Sequence, residues 1–357
     1  MNKSIIATII TIGALSSSTV IASDLIDTEK ELFVEGGTKV TAKMYPVVET
    51  ERQFLKHQDI AGVNKFNHKR VLTPTEGQEI VRMNRDTYYS FATINVSEGA
   101  TVTLPEIPEG KYMTMMVVTE GHRIQAMQYG SGTYSLNTHE GEHVNIVIRL
   151  DAGFSVEEAN AIQDKMIIEA GSNVPFSASQ TYDRATFEQT ERELKSKVPS
   201  ILKRDGANAL VGMFTDPADK SKELFVQEKY EVGAAIGWGG AQLQDNIYEV
   251  SGNFDNSKCY QATFEDPKNQ AFLSITVYNG AGFMFNDHAN ISTETAKYNQ
   301  DGTLTFSFGC GEDAVNNITT TDGNDTGKFN LGIRHYTPSK VVMDGFRILP
   351  FVKEVKQ

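Results

Sequence analysis

The chain has 357 residues, of which 39% are hydrophobic and 22% are charged, a composition typical of a folded globular protein rather than a disordered one. Its formal net charge of -13 at pH 7 disfavours partners that are themselves polyanionic, because nucleic acid and anionic lipid surfaces would be repelled. We therefore expect no nucleic-acid partner. The charge leaves neutral and cationic ligands open.

The first residues carry the pattern of an export signal. Lys3 gives a positive start, an uncharged and mainly apolar run follows, and Val20 and Ala22 occupy the small-residue positions that a signal peptidase reads. We predict that residues 1–22 are a signal peptide, so that the mature protein is periplasmic or secreted and has no membrane partner. A retained membrane anchor is the weaker alternative, because the run is short and lacks a positive flank after it.

The sequence contains two cysteines, Cys259 and Cys310. An oxidising compartment would permit a disulfide between them, and both lie in strand-like stretches of the C-terminal half. The sequence leaves open whether they are bridged, because the geometry of the two strands decides it.

Residues 23–153 are predicted to form helical segments followed by a small β-sandwich. Apolar residues recur at roughly helical spacing in residues 51–69. From residue 88 to 150 the pattern changes to short stretches rich in β-branched and aromatic residues, separated by turn sequences such as SEGA, PEG and GSGT. This pattern is typical of an antiparallel sandwich or barrel. The predicted strands are TYYSFATINV, TVTLP, KYMTMMVVTE, RIQAMQYG and HVNIVIRL.

Residues 154–245 are predicted to be a helical connector. Ser155 followed by Glu158 has the spacing of a capping box at the start of a helix. The periodic segment ATFEQTERELKSKV follows, and a third helical segment meets the glycine cluster at Gly237 to Gly240, which can end a helix.

Strand patterns return in residues 246–357. Five candidates in about 100 residues favour a second antiparallel sandwich of jelly-roll type. The predicted fold class is therefore mainly β, with two antiparallel, jelly-roll-like β-sandwich domains joined by a helical connector. The five candidates are CYQATF, AFLSITVY, TLTFSFG, KFNLGIRHY and FRILPFVKEV.

The segment His139-Glu140-Gly141-Glu142-His143 has the letters of the HExxH zinc-protease motif. That chemistry needs a helix, which places both histidines on one face and the glutamate beside the metal-bound water. Here a glycine lies inside the motif and strand-like residues flank it, so we interpret the segment as a turn and predict no metal site. Adventitious metal binding by two histidines on one face of a strand stays open.

The densest polar cluster lies in residues 82–90, just before and at the start of a predicted strand. Arginine there could bind a carboxylate or sulfate, and tyrosine could stack on a ligand. Alternatively, an Arg–Asp pair and buried tyrosine hydroxyls could simply fix the first strand to its surroundings. The candidate ligand-binding residues are Asn84, Arg85, Asp86, Tyr88, Tyr278 and Arg334.

Two further features have both a functional and a structural interpretation. Asp287 and His288 could form an acid–base pair, although neighbouring residues on a strand point to opposite faces. Trp238 could be a stacking platform for a sugar, or it could fill the junction between the connector and a sheet.

A family resemblance is visible in the longer motifs. GVNKFNHKRVLTPTEGQEIVRMNRDTYYSFATINVSEG resembles the N-terminal module of the DUF1254 family. AFLSITVYNGAGFMFND, followed by KYNQDGTLTFSFG and FNLGIRHYTPSKVVMDGFRILPFVKEV, resembles the companion DUF1214 module. The resemblance implies two β-sandwich domains with a helical element between them, in an exported protein. It implies no reaction, and Leu273 departs from the pattern by standing where members usually carry tryptophan.

The sequence therefore predicts an exported protein that binds or hydrolyses a small polar molecule or saccharide in a pocket between two β-sandwiches. The alternative is a surface or assembly protein, including a homo-oligomer, whose sandwich faces contact other proteins. No cofactor and no catalytic residue are predicted, and whether the protein is an enzyme stays open.

Overall fold

The structure, a computed structural model, describes residues 29–76, 78, 81–138, 140–214 and 225–356. The predicted signal peptide lies outside these residues. Strand accounts for 31% of the chain and helix for 22%, so the predicted mainly β class is confirmed. In the described ranges, no helix is both long enough and apolar enough to cross a membrane.

The helices and strands follow one another in the predicted order, with helices early in the chain and between two groups of strands. The helices are α1 (Glu29–Leu32), α2 (Tyr45–Ala61), α3 (Val156–Gln163), α4 (Arg184–Ser196), α5 (Val198–Asp205), α6 (Gln227–Gly237) and α7 (Lys340–Met343). The strands are β1 (Phe33–Thr38), β2 (Asn67–His68), β3 (Thr87–Asn95), β4 (Ala100–Leu104), β5 (Met113–Thr119), β6 (Gln128–Tyr129), β7 (Gly132–Leu136), β8 (His143–Asp151), β9 (Ile167–Ala170), β10 (Asn246–Val250), β11 (Phe254–Asp255), β12 (Cys259–Glu265), β13 (Leu273–Asn279), β14 (Asn290–Ser292), β15 (Thr303–Phe308), β16 (Asn317–Ile318), β17 (Lys328–Tyr336) and β18 (Lys353–Val355).

The first sandwich packs a large sheet, in the order β2-β3-β8-β5-β6, against a small sheet, in the order β7-β4-β9. Alternate residues of the antiparallel strands point into the space between the sheets, so Val102, Met115 and Ile146 have no exposed surface. β9 lies within the predicted connector but pairs with β4, which makes it part of this sandwich.

The large sheet of the first sandwich is buried on both faces. Every residue of β5 and of β8 is buried. The small sheet covers the inner face. The helices and the second sandwich cover the outer face, where Met116 and Val147 pack with Phe91 and Trp238. The helices α2, α4, α5 and α6 contribute to a core of their own around Phe54 and their other apolar residues.

The second sandwich packs the sheet β10-β17-β13-β14 against the sheet β16-β15-β12-β18. Its core is rich in aromatic rings, among them Phe306, Phe308 and Phe329, which are fully buried. A disulfide joins Cys259, at the start of β12, to Cys310, just after β15. The prediction of two antiparallel sandwiches with helices between them is confirmed.

The predicted elements differ from the observed ones in a few places. The capping box of Ser155 and Glu158 is confirmed, and α6 ends at Gly237 as expected. The stretch 346–355 was predicted to be a strand, but only Lys353–Val355 forms one. Pro350 lies in a short 3-10 helix there, because proline has no N–H to donate to a sheet. The strands β7 and β9 are short and were not predicted.

Glu249 on β10 fixes the C-terminal segment to the second sandwich. Its side chain is fully buried, and its carboxylate accepts hydrogen bonds from the backbone N–H groups of Ile348 (2.8 Å) and Leu349 (2.9 Å). The Nε2 atom of His335 lies 2.9 Å from the same carboxylate. One buried side chain therefore satisfies three donors that have no access to water.

We predict that Glu249→Ala lowers the free energy of unfolding by about 3 kcal/mol or more, since each orphaned buried donor costs about 1–3 kcal/mol. Urea denaturation followed by circular dichroism measures this. Glu265→Ala, which removes an exposed glutamate from β12, is the control and should stay within about 0.5 kcal/mol of the wild type. Equal stabilities for the two variants would contradict the anchoring role of Glu249.

Candidate functional site

The structure brings four of the six candidate residues together where the two sandwiches meet. Asn84 and Asp86 lie just before β3, whereas Tyr278 and Arg334 lie on neighbouring strands of the second sandwich. Asp86 is 3% exposed and accepts a hydrogen bond from Ser274 Oγ at 2.6 Å. We call this group of residues the Asp86 seam. It comprises Asn84, Asp86, Ser274, Tyr278, Asn290, Arg334 and Tyr336.

The seam is saturated with hydrogen bonds. Arg334 donates to Tyr278 Oη and to the carbonyl of Arg82, both at 2.9 Å, and its Nη1 lies 3.6 Å from Asp86. Tyr278 donates in turn to the carbonyl of Met83 at 2.8 Å. Burial lowers the pKa of Arg334, but Tyr278 and Asp86 raise it further, so the guanidinium stays charged. These contacts join the two sandwiches, as the structural interpretation of the cluster requires.

The other two candidate residues lie elsewhere. Arg85 donates to the carbonyl of Thr73 at 2.7 Å and lies 3.0 Å from the exposed carboxylate of Asp287. Tyr88 points into the core of the first sandwich, and its hydroxyl donates to the carbonyl of Phe154 at 3.2 Å. Neither side chain faces the seam.

The remaining sequence motifs take structural positions. His139 lies outside the described residues, and Gly141 has a positive φ in the loop between β7 and β8 rather than in a helix. His143 is buried, with Nε2 2.9 Å from the carbonyl of Val174 and Nδ1 3.3 Å from Glu120. Within the described part of the chain, no group of three or more His, Cys, Asp or Glu residues could hold a metal ion.

Trp238 lies where the connector meets the large sheet. Its ring packs with Met116 and Val147, and its Nε1 donates to Thr50 Oγ1 at 2.9 Å. A cavity behind it, between α6 and the loop that holds His122, admits a water-sized sphere over only about 10 Å³. That is room for about one water molecule, so this cavity is too small for a ligand.

Arg149, on the outer face of the large sheet near the end of β8, is one of the buried charged residues with incomplete hydrogen bonding in the described part of the chain. It is 3% exposed, and its Nη2 donates to the carbonyl of Gly239 at 2.5 Å. Its Nη1 is buried and has no hydrogen-bond partner, and the guanidinium forms no salt bridge with the described residues. A buried cation is normally paired, because removing its charge from water is costly.

Two tyrosine hydroxyls beside Arg149 also lack an acceptor. The guanidinium lies 5.8 Å from the ring centre of Tyr89, whose hydroxyl accepts from Asn84 Nδ2 at 3.1 Å. The hydroxyl of Tyr248 accepts from the backbone N–H of Ala241 at 3.0 Å. Neither hydroxyl donates to any described residue. Arg149 Nη1 and these two hydroxyls are called the donor cradle below.

The electrostatics keep the cradle positive. Burial lowers the pKa of Arg149, but Tyr89, Tyr248 and Tyr112 raise it further, so the side chain stays charged. Burial raises the pKa of Asp245, which is fully buried and lies 3.0 Å from the Tyr112 hydroxyl through each of its oxygens. A carboxyl group that holds its proton to higher pH neutralises less of a neighbouring cation.

Four aromatic side chains surround the cradle. Tyr89, Phe91, Trp238 and Tyr248 are all half-buried, although they lie between the first sandwich, the helices and the second sandwich. The Tyr89 and Phe91 rings are nearly parallel, with centres 5.6 Å apart. Part of this aromatic surface is therefore exposed to solvent.

Sequence reasoning missed the cradle. Tyr89 was part of the polar cluster but was not a candidate, and Arg149, Tyr248 and Asp245 were treated as ordinary strand or connector residues. The usable signal was an arginine at the end of the apolar run HVNIVI, because a strand this apolar is buried on both faces and an arginine on it needs a partner.

Comparisons with known proteins identify both halves of the chain. The family described as DUF1254, a protein of unknown function, matches residues 63–149, and DUF1214, also of unknown function, matches residues 248–340. Arg149 and the Asp86 end of the seam lie in the first range, and Tyr248, Tyr278 and Arg334 lie in the second. No curated protein matches the chain.

Two solved structures share the fold. The VPA0106 protein from Vibrio parahaemolyticus superposes with a TM-score of 0.62 at 14% identity, over 88% of this chain and 98% of its own. An uncharacterised protein from Burkholderia cenocepacia superposes with a TM-score of 0.52 at 14% identity, over 88% of each chain. At this identity the likeness shows the fold alone.

We predict that Asp86→Ala lowers the free energy of unfolding by about 3–5 kcal/mol, because it leaves Arg334 as an uncompensated buried cation. Asp287→Ala is the matched control, since its carboxylate also pairs with an arginine but its side chain is 65% exposed, and it should cost no more than about 1 kcal/mol. Thermal and urea unfolding measure both. A small loss for Asp86→Ala would mean that the seam does not hold the sandwiches together.

Proposed function

We infer, for a chain that belongs to the family combining the DUF1254 and DUF1214 domains, that its function is to bind a small polar molecule between its two sandwiches, and that the bound group is an anion. The observation that carries the proposal is the donor cradle: Arg149 Nη1 and the hydroxyls of Tyr89 and Tyr248 find no acceptor among the residues that the structure describes.

An unpaired buried guanidinium is unfavourable to the folded protein unless a partner arrives. Buried polar groups are hydrogen-bonded in the large majority of cases, and an exception calls for an explanation such as a bound ion. Two tyrosine hydroxyls in the same region that donate to no described residue strengthen the case, because a carboxylate can accept from several donors. The proposal explains all three with one ligand group.

The two tyrosines of the cradle keep part of their surface exposed, whereas Nη1 of Arg149 is covered. An anion would therefore approach from the side of the tyrosines. Asn84, one of the residues predicted from the sequence, acts indirectly here, because its amide holds the Tyr89 hydroxyl in place.

Binding is proposed rather than hydrolysis. Asp245 is a carboxyl with a raised pKa beside the cradle, the kind of group that general acid–base catalysis uses. However, its side chain is fully buried, and both of its oxygens accept from the Tyr112 hydroxyl. A catalytic acid must come within hydrogen-bond reach of its substrate.

We also propose that the protein works outside the cytoplasm. The N-terminal pattern of Lys3, an apolar run and Ala22 supports export, and the Cys259–Cys310 bridge is of the kind that persists in oxidising compartments.

We predict that Arg149→Met weakens anion binding without loss of stability. In calorimetric titrations with acetate, this variant should bind at least about 10-fold more weakly, the loss expected when a charge-assisted hydrogen bond worth about 1.5–3 kcal/mol is removed. In anion-free buffer its melting temperature should equal or exceed that of the wild type, because an unpaired buried cation is replaced by an apolar chain of similar length.

Tyrosine variants test the same cradle. Tyr89→Phe and Tyr248→Phe should each weaken acetate binding by a few fold, and Tyr260→Phe, in the core of the second sandwich, should not. Acetate binding that survives Arg149→Met, or a large loss of stability in that variant, would count against the cradle as the binding site.

We predict that protein exported from a bacterial host begins at Ser23. Intact-mass measurement of the periplasmic protein should give the mass of residues 23–357, less two hydrogens for the disulfide. Unprocessed protein retained in the cytoplasm, with both thiols free to react with an alkylating reagent, would contradict export.

A further inference from the structure

We infer that the ligand of the donor cradle is a monocarboxylate whose body is flat and apolar, that is, an aromatic or unsaturated ring carboxylate rather than a uronic acid. This inference rests on the proposed function and specifies its ligand. It is carried by the residues that continue from the cradle along the outer face of the large sheet.

The first of these residues form an aromatic row. Tyr89 contributes to the cradle through its hydroxyl, and its ring is stacked with that of Phe91 at 5.6 Å and an interplanar angle of 6°. On the other side, Phe91 stacks on the ring of His57 at 4.5 Å. His57 in turn lies 6.3 Å from Trp238. A flat ring held at Tyr89 would meet further ring faces and edges.

The neighbours of the row on the same face of the sheet are apolar. Val147 and Met116 occupy the positions next to Phe91 across the sheet, and both are almost fully buried in one cluster with Phe91 and Trp238. A side chain built on Gly239 would meet only Met116 Cε and Val147 Cγ2, at 3.8 and 3.9 Å. Methionine adapts its shape to a neighbour, so this apolar surface can adjust to a carbon ring beside it.

The polar atoms of the row are already engaged. Trp238 Nε1 donates to Thr50, and His57 Nδ1 pairs with the Asn145 side chain. Burial lowers the pKa of His57 to about 3, so the imidazole is neutral at pH 7 and supplies no charge. A sugar placed here would lose the water around its hydroxyls and gain few hydrogen bonds in return, which is unfavourable.

The order of the groups sets the shape of the ligand. Arg149 and Tyr89 are direct cross-strand partners, and Phe91 and Val147 are the next pair on the same face. The anion site and the apolar row are therefore contiguous, so the carboxylate must be attached directly to the ring or through a very short link. Benzoate has this arrangement.

Titration calorimetry on the full mature chain, with acetate, benzoate and glucuronate as probes, tests the inference. Benzoate should bind at least about 10-fold more tightly than acetate, and glucuronate no more tightly than acetate. Phe91→Ala should lower the benzoate affinity more than the acetate affinity and so remove most of the benzoate advantage, because it deletes the ring face that only benzoate uses. Phe91→Leu provides a second variant in case the alanine variant fails to fold, and Phe254→Ala, a half-buried ring of the second sandwich, is the control.

The outcomes separate this inference from the proposed function. If acetate and benzoate bind with equal affinity and Arg149→Met loses both, the inference that the ligand has an apolar body is wrong. The anion site would still be supported. A preference for glucuronate would overturn the inference in favour of a saccharide. If none of the three probes shows binding that depends on Arg149, both the inference and the proposed function fall.

Discussion

The burial of the large N-terminal sheet on both faces is the constraint from which the rest of the molecule follows. All residues of β5 and β8 are buried, so each polar side chain on the outer face must find a partner within the protein. Asn145 finds His57, His143 finds Val174 and Glu120, and Thr114 finds Tyr112. Arg149 donates through Nη2 to one backbone carbonyl, whereas its Nη1 finds no acceptor in the described part of the chain, and this incomplete pairing is the reason that we propose an anion site there.

Much of the fold is predictable from the sequence because strand signals are local. Alternating and apolar stretches located β3, β5, β8 and the main strands of the second sandwich. Asn84 and Asp86 of the polar cluster lie beside Arg334 and Tyr336 in the structure, but the predicted role of these residues in ligand binding stays a prediction. The sequence could not show whether these residues bind a ligand or one another, because their hydrogen bonds with Ser274, Asn290 and Tyr336 depend on the register of the strands. The sequence did not single out Arg149, because its environment depends on which elements cover the outer face of its strand. No local sequence pattern shows which elements those are.

The negative overall charge of the protein is unfavourable for the approach of the proposed anionic ligand. A net charge of -13 repels an approaching anion and slows its association, an effect that salt screens. Affinity is determined at short range, where a buried guanidinium and two hydroxyls act in a medium of low polarity. Burial raises the pKa of Asp245, and the nearby Arg149 opposes this shift. The seam around Asp86 keeps the two sandwiches in register, and the cradle needs this because Tyr89 and Tyr248 come from different sandwiches.

A crystal structure of the mature protein grown with benzoate tests the central claim most directly. The account predicts density for the carboxylate within hydrogen-bond distance of Arg149 Nη1 and the hydroxyls of Tyr89 and Tyr248, with the ring against Phe91. Density that instead shows Arg149 Nη1 bonded to a carbonyl or carboxylate of the protein itself, with no ligand beside it, would contradict the claim.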